Sequence, residues 1–165
     1  MSKISLKTTI ELPIAHCLDD AYSGLCTGLV GINENNKFSN VIPVVHGHNY
    51  NVTAELFTDT YKMNEDCMIM DFKLIKKRLH EFFDKYDHSL ILTTNNPLTT
   101  IYKESYEKAG IDIVQARIFI WDNNPTAEYM CIKWQQELKQ LFDNEYLINL
   151  TVEETSHNSC TLHDI

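Results

Sequence analysis

Residues 46–56, HGHNYNVTAEL, carry both a fold signal and a chemical one. Tyr50, Val52, Ala54 and Leu56 alternate with Asn49, Asn51, Thr53 and Glu55. That period of two predicts a β-strand with one buried face. At its start His46 and His48 stand two apart, so their imidazoles project from one side, and Gly47 leaves room for close approach of backbone or ligand. A catalytic zinc site uses three protein ligands and keeps a further position for water or substrate. His16 is the candidate third ligand. It follows an earlier stretch in which Ile4, Leu6, Thr8, Ile10 and Leu12 alternate with Ser5, Lys7, Thr9 and Glu11, the pattern of a neighbouring strand. Taken alone, a His-x-His pair at a strand end also serves as a simple hydrogen-bonding group.

The rest of the chain narrows what such a site acts on. At 165 residues the sequence suits a single domain, 1–165. Fourteen Lys and Arg against 23 Asp and Glu, a formal charge of -9, argue against a nucleic-acid surface and for a small-molecule partner. The opening residues lack the apolar run of a secretory signal, and no stretch of about 18 apolar residues occurs, so a cytoplasmic protein is expected. Cys17, Cys26, Cys67, Cys131 and Cys160 are odd in number and never form Cys-x-x-Cys, which points to ordinary thiols rather than a disulfide framework or zinc ribbon.

Between the two strands, residues 17–45 show no sustained period and are rich in Gly and Asn, predicting a long loop. Phe72, Ile75, Leu79 and Phe82 mark an amphipathic helix ending near Tyr86, and residues 93–110 read as a connecting insertion with a short helix around 101–108. A strand is expected over 111–121. Asn124-Pro125 then reads as a helix start, with Met130, Trp134, Leu138 and Leu141 as the inner stripe. Ile148, Leu150 and Val152 alternate in a further strand, and residues 160–163 are placed to pair back on it. The expected architecture is α+β: an antiparallel sheet with its helices on one face.

Two further constellations carry chemistry. In Asp87-His88 a carboxylate that fixes the imidazole tautomer would make His88 an acid-base group, although polar residues after a helix are also common surface features. Counting by twos from Ile148 places Glu154 on the inward face and Glu153 outside. An inward carboxylate needs a partner, and its two oxygens suit the paired N–H donors of a guanidine-like ring edge. If the strand ends earlier, Glu154 is simply solvated. His80, His157 and His163 have no comparable setting.

The segments HGHNYNV at 46–52, MIMDF at 68–72, YDHSLIL at 86–92, NPTAE at 124–128 and VEET at 152–155, preceded by the strand ending in His16, together resemble the 6-pyruvoyltetrahydropterin synthase and 6-carboxytetrahydropterin synthase family. The resemblance implies the tunnelling fold, a four-stranded antiparallel sheet with two helices that assembles into a barrel as a homo-oligomer, commonly a hexamer of two trimers with active sites between subunits. It implies His16, His46 and His48 as zinc ligands, Asp87 and His88 as the catalytic relay, Glu154 as the pterin anchor and Thr126 as a pterin contact. The implied substrate is 7,8-dihydroneopterin triphosphate. In the carboxy branch it yields 6-carboxy-5,6,7,8-tetrahydropterin on the route to queuosine. The other outcomes are 6-pyruvoyltetrahydropterin, side-chain cleavage, or pterin binding without turnover. One position departs from the pattern: the family's proton-abstracting cysteine falls here at Ile42 or Asn40, neither of which takes a proton, leaving Cys26 in the same loop as the candidate substitute. The negative net charge argues against a strong cationic cradle for the triphosphate, and Lys62 or Lys103 from a neighbouring subunit is the candidate contact.

Overall fold

A computed structural model describes residues 4–18, 27–29, 41–43, 45–58, 65, 67–142 and 146–164. Along the chain lie β1 (Ile4–His16), β2 (Thr27–Leu29), β3 (Val41–Pro43), β4 (His46–Thr58), α1 (Phe72–Phe83), β5 (Ser89–Thr93), α2 (Pro97–Lys108), β6 (Ile118–Trp121), α3 (Ala127–Leu141), β7 (Leu147–Thr155) and β8 (Asn158–Leu162). The main sheet has six strands in the order β6-β5-β1-β4-β7-β8. It is mixed: β4 to β7 and β7 to β8 are antiparallel, whereas β1 to β5 and β5 to β6 are parallel. This corrects the expected four-stranded antiparallel sheet with two helices on one face, since the main sheet is mixed and has six strands, and three helices are present among the described residues. The reason is visible in β5, where Ser89, Ile91, Leu92 and Thr93 are all buried. A strand covered on both faces carries no alternation to read. None of the described helices is long and apolar enough to cross a membrane.

The chain forms two compact units, the first comprising Met1–Pro13, Asn49–Asp87 and Ala127–Ile165. Its core joins Ile10 and Leu12 of β1, Tyr50, Val52, Ala54 and Leu56 of β4, and Ile148, Leu150 and Val152 of β7, all buried as their alternation predicts. The antiparallel register sets Val52 against Val152 and Ala54 against Leu150. Asp71 caps α1 by accepting from the Lys73 backbone N–H at 2.7 Å. The helix buries Ile75, Leu79 and Phe83; it leaves Phe72 exposed and stops before Tyr86, earlier than its sequence pattern suggested. On α3, Trp134 is fully buried with Phe83 and Tyr86 around it. Gln135 donates to the Ile148 and Leu162 carbonyls, tying α3 to β7 and β8. The Cys131 thiol is pushed up to about 12 by burial and then by neighbouring Cys160, so it stays protonated and unreactive.

The tail of this unit is pinned by one carboxylate. Asp164, only 9% exposed at its side chain, meets the Lys139 ammonium at 2.6 Å and accepts from the Ile148 backbone N–H at 3.0 Å. Its own N–H donates to Asn149. Asp164→Ala is expected to cost about 2 kcal/mol, the range for hydrogen bonds to a charged group, because it leaves a backbone N–H and an ammonium without their acceptor. Urea unfolding would read this as a lower midpoint at unchanged slope; a midpoint equal to wild type would count against the clamp.

The second unit comprises Ile14–His48 and His88–Thr126. Ile14 to His16 pair in parallel with Ser89 to Ile91. Asn96 caps α2 through its side-chain oxygen, with Pro97 in the first turn. Leu98, Tyr102 and Tyr106 of this helix pack with Ile113 and Ala116 on Cys17, Leu92 and Ile118. The insertion therefore holds a full helix beginning at Pro97, longer than the expected 101–108. The strand expected over 111–121 is confined to Ile118–Trp121, because Asp112 closes a turn by accepting from the Val114 and Ala116 N–H groups. Within the expected loop 17–45, β2 and β3 form a two-stranded antiparallel sheet pairing Thr27 with Pro43 and Leu29 with Val41.

Candidate metal centre

His16 is the last residue of β1, and His46 and His48 open β4. Alternation in β4 sends both imidazoles to one side while Gly47 turns to the other. There the β4 backbone comes so close to β1 that a Cβ on Gly47 would stand 3.1 Å from the Ile14 carbonyl oxygen and 3.5 Å from the Ala15 Cα. A side chain there would press on backbone rather than on a movable side chain, so glycine gives β4 its closest approach to β1.

The three rings converge, with centroids 4.4 Å apart for His16 and His46, 5.2 Å for His46 and His48, and 5.6 Å for His16 and His48. One ligand atom from each lies within 4.8 Å of the others. His16 is buried, and its partners are half-buried. His16 Nδ1 is 2.8 Å from the Pro125 carbonyl oxygen. Because a carbonyl only accepts, Nδ1 must carry the proton, and Nε2 keeps its lone pair for a metal. That Nε2 faces His46 Nε2 at 3.0 Å. Two nitrogens on one tetrahedral zinc stand about 3.3 Å apart, so the donors need little rearrangement to share an ion. Three imidazoles, one with its tautomer locked by a backbone carbonyl, form a donor set that fits zinc.

The other candidate residues fall in distinct places. Thr126 is half-buried and directly follows Pro125, the partner of His16; its N–H donates to the Asn124 carbonyl at 2.8 Å. The helix expected to start at Asn124-Pro125 begins instead at Ala127, because Pro125 and Thr126 remain in the connection. Asp87 is half-buried at the end of the turn after α1, its N–H bonded to the Phe83 carbonyl. It lines a cleft of about 260 Å3 with Ile10, Glu11, Leu12, His80, Phe83 and Asp84. His88 is exposed and holds a left-handed backbone, φ 55°. Such a conformation in a residue other than glycine is uncommon and marks a position held by its surroundings.

Glu154 is half-buried on β7 and accepts from the Tyr50 hydroxyl at 3.2 Å. Glu153 is bonded instead to Asn51, as its position on the alternate face requires. Cys26 and Lys62 lie outside the described residues, and Lys103 is exposed on α2. The backbone of Ile42 pairs with that of Gly28 in the small sheet. His80, His157 and His163 are exposed. Sequence reading missed two hydrogen-bond partners of the candidate residues, the Pro125 carbonyl and the Tyr50 hydroxyl. The first is a main-chain atom with no side-chain signature, and the second reads as an ordinary core aromatic.

The family model described as 6-pyruvoyl tetrahydropterin synthase matches residues 5–164. A 6-carboxy-5,6,7,8-tetrahydropterin synthase from Aquifex aeolicus is 31% identical over 104 residues, 63% of this chain and 60% of that protein, so the match spans less than two thirds of its length. A protein from Methanocaldococcus jannaschii named as a putative 6-carboxy-5,6,7,8-tetrahydropterin synthase is 30% identical over 122 residues, 70% of this chain and 74% of its own. In three dimensions, a catalytic-residue variant of Plasmodium vivax 6-pyruvoyltetrahydropterin synthase superposes with a TM-score of 0.64 at 15% identity, covering 100% of both chains, which speaks for the fold alone.

Proposed function

The chain belongs to the 6-pyruvoyl tetrahydropterin synthase family, and from that premise we propose that it is a zinc-dependent lyase converting 7,8-dihydroneopterin triphosphate and water to 6-carboxy-5,6,7,8-tetrahydropterin, acetaldehyde and triphosphate. The observation that carries this reading is the convergence of His16, His46 and His48, with His16 held in the metal-binding tautomer by Pro125. The names of the Aquifex and Methanocaldococcus relatives favour the carboxy product over the pyruvoyl one.

Zinc on these histidines would act as a Lewis acid, lowering the pKa of the substrate's side-chain hydroxyls. Glu154 is the anchor, its carboxylate matching the 2-amino and N3–H donors of the pterin edge, and Thr126 is a second pterin contact. Asp87 and His88 are proposed as the acid-base pair. Cys26 is the proposed carbon-proton base. Support for it is topological: its chain neighbour Thr27 pairs with Pro43, three residues before His46. Lys62 and Lys103 are proposed for the triphosphate. The whole chain is proposed to act as one pterin-synthase domain in a cytoplasmic homo-oligomer, a hexamer of two trimers, on the queuosine route.

A second reading, pterin binding without turnover, is favoured by Ile42 and Asn40 standing where the family's cysteine is usual. Mass spectrometry of products from dihydroneopterin triphosphate and the zinc-loaded chain decides between them. The expected result is the 6-carboxy product with equimolar acetaldehyde, reduced at least about 100-fold in Cys26→Ala, the scale of a lost general base. A product with its carbon chain intact would replace the carboxy reading by the pyruvoyl one. A hydroxymethylpterin would establish side-chain cleavage, and retained pterin with no released triphosphate would establish binding alone. Unchanged turnover in Cys26→Ala would remove that residue as the base.

A further inference from the structure

We infer that Tyr50 is a positioning residue that orients the Glu154 carboxylate and thereby sets its preference for an aminopyrimidinone edge over a dioxo edge. This deepens the reading of Glu154 as pterin anchor and rests on it. Tyr50 is fully buried, at 0% exposure, in a row otherwise made of Val52, Ala54 and Leu56. Packing alone would be served by phenylalanine. A buried phenol costs stability unless its O–H finds an acceptor, and the Glu154 carboxylate is 3.2 Å away.

The contact follows from register. Asn51 pairs with Glu153 and Val52 with Val152, so the next step along the two antiparallel strands sets Tyr50 across from Glu154 on the buried face. On the other edge of β7 the pairing with β8 is irregular between Glu153 and Thr155, the stretch that contains Glu154. Such bulges re-aim a side chain and loosen its backbone setting. A glutamate there has three free torsions, and an unheld carboxylate must be ordered each time a ligand binds. The Tyr50 O–H engages Oε1 and thereby fixes the plane of the carboxylate. A carboxylate held in one plane distinguishes two adjacent N–H donors from an edge in which one donor is replaced by a carbonyl oxygen.

The test uses the zinc-loaded full chain and two probes, a fluorescent oxidised pterin and the matched lumazine, which carries a 2-oxo group in place of the 2-amino group. In wild type the pterin is expected to bind at least about tenfold more tightly, the worth of a hydrogen bond to a charged acceptor. Tyr50→Phe is expected to lose about tenfold in pterin affinity with lumazine affinity unmoved, and to raise KM for dihydroneopterin triphosphate more than it lowers kcat. Glu154→Asp, which withdraws the carboxylate from the phenol while keeping its charge, should likewise narrow the preference. An unchanged pterin-to-lumazine ratio in Tyr50→Phe, with Glu154→Gln abolishing it, would overturn the role of Tyr50 and leave the anchor standing. A ratio preserved in Glu154→Gln would remove the anchor, and Tyr50's role with it.

Discussion

His48→Ala is expected to lower zinc affinity by roughly 100- to 1,000-fold and to abolish turnover with it. The scale follows from a metal-binding free energy of about 10–16 kcal/mol shared among the ligands of a small site, so that one imidazole supplies about 3–4 kcal/mol. His48 is the ligand to choose. It is half-buried at the end of its strand, and its removal leaves intact the His16 to Pro125 bond that ties β1 to the residues before α3. His16→Ala would lose the same metal ligand count but would also leave a buried carbonyl without its donor, mixing a folding defect with the metal defect. The measurement is zinc content after gel filtration, followed by competition with a chromophoric chelator, with exposed His157→Ala as the matched control. Equal stoichiometry and affinity in His48→Ala and His157→Ala would sink the metal centre.

Trp134→Ala is expected to be the most destabilising single change outside that site, by about 3–5 kcal/mol. The indole is fully buried on α3. Phe83 meets it edge-on, with centroids 5.2 Å apart and planes at 89°, and Tyr86 lies at 5.4 Å. These rings join α1, the turn that follows it and α3 in one aromatic cluster. Truncation removes both the burial and the edge-to-face contacts, and the flanking helices cannot collapse fully into the void. At about 2–4 °C per kcal/mol for a chain of this size, melting should fall by roughly 10 °C. A loss below about 1 kcal/mol would show that the cluster does not hold the helices. Zinc content should stay at wild-type level in whatever fraction remains folded.

How much of this was legible in the sequence varied with how local the signal was. The Asn-Pro helix signature occurs twice, at Asn96-Pro97 and Asn124-Pro125. At the first it opens α2 directly, with Asn96 as cap, inside a stretch whose polar composition read as an insertion. At the second, Pro125 turns its carbonyl to His16, and the helix waits until Ala127. The two dipeptides are identical, and what separates them is a partner supplied from elsewhere in the chain. The same holds for the long loop. Its Gly- and Asn-rich run gave no period, yet Gly28 and Ile42 pair across it, because three-residue strands are too short to show alternation.

By itself the sequence determined the half-buried strands β1, β4 and β7, the helices with an apolar stripe, and the common side from which His46 and His48 project. Each of these depends on residues two to four apart, whose relative directions backbone geometry sets without any tertiary contact. Tertiary structure alone decided that β5 enters the sheet parallel to β1, and that the Pro125 carbonyl, 109 residues from His16, selects its tautomer. It also brought the Tyr50 hydroxyl to Glu154, 104 residues away. A period in the sequence reports which face of an element is buried. It carries no information on which distant atom fills the hydrogen bond at that face, and in this protein those distant atoms orient His16 and Glu154.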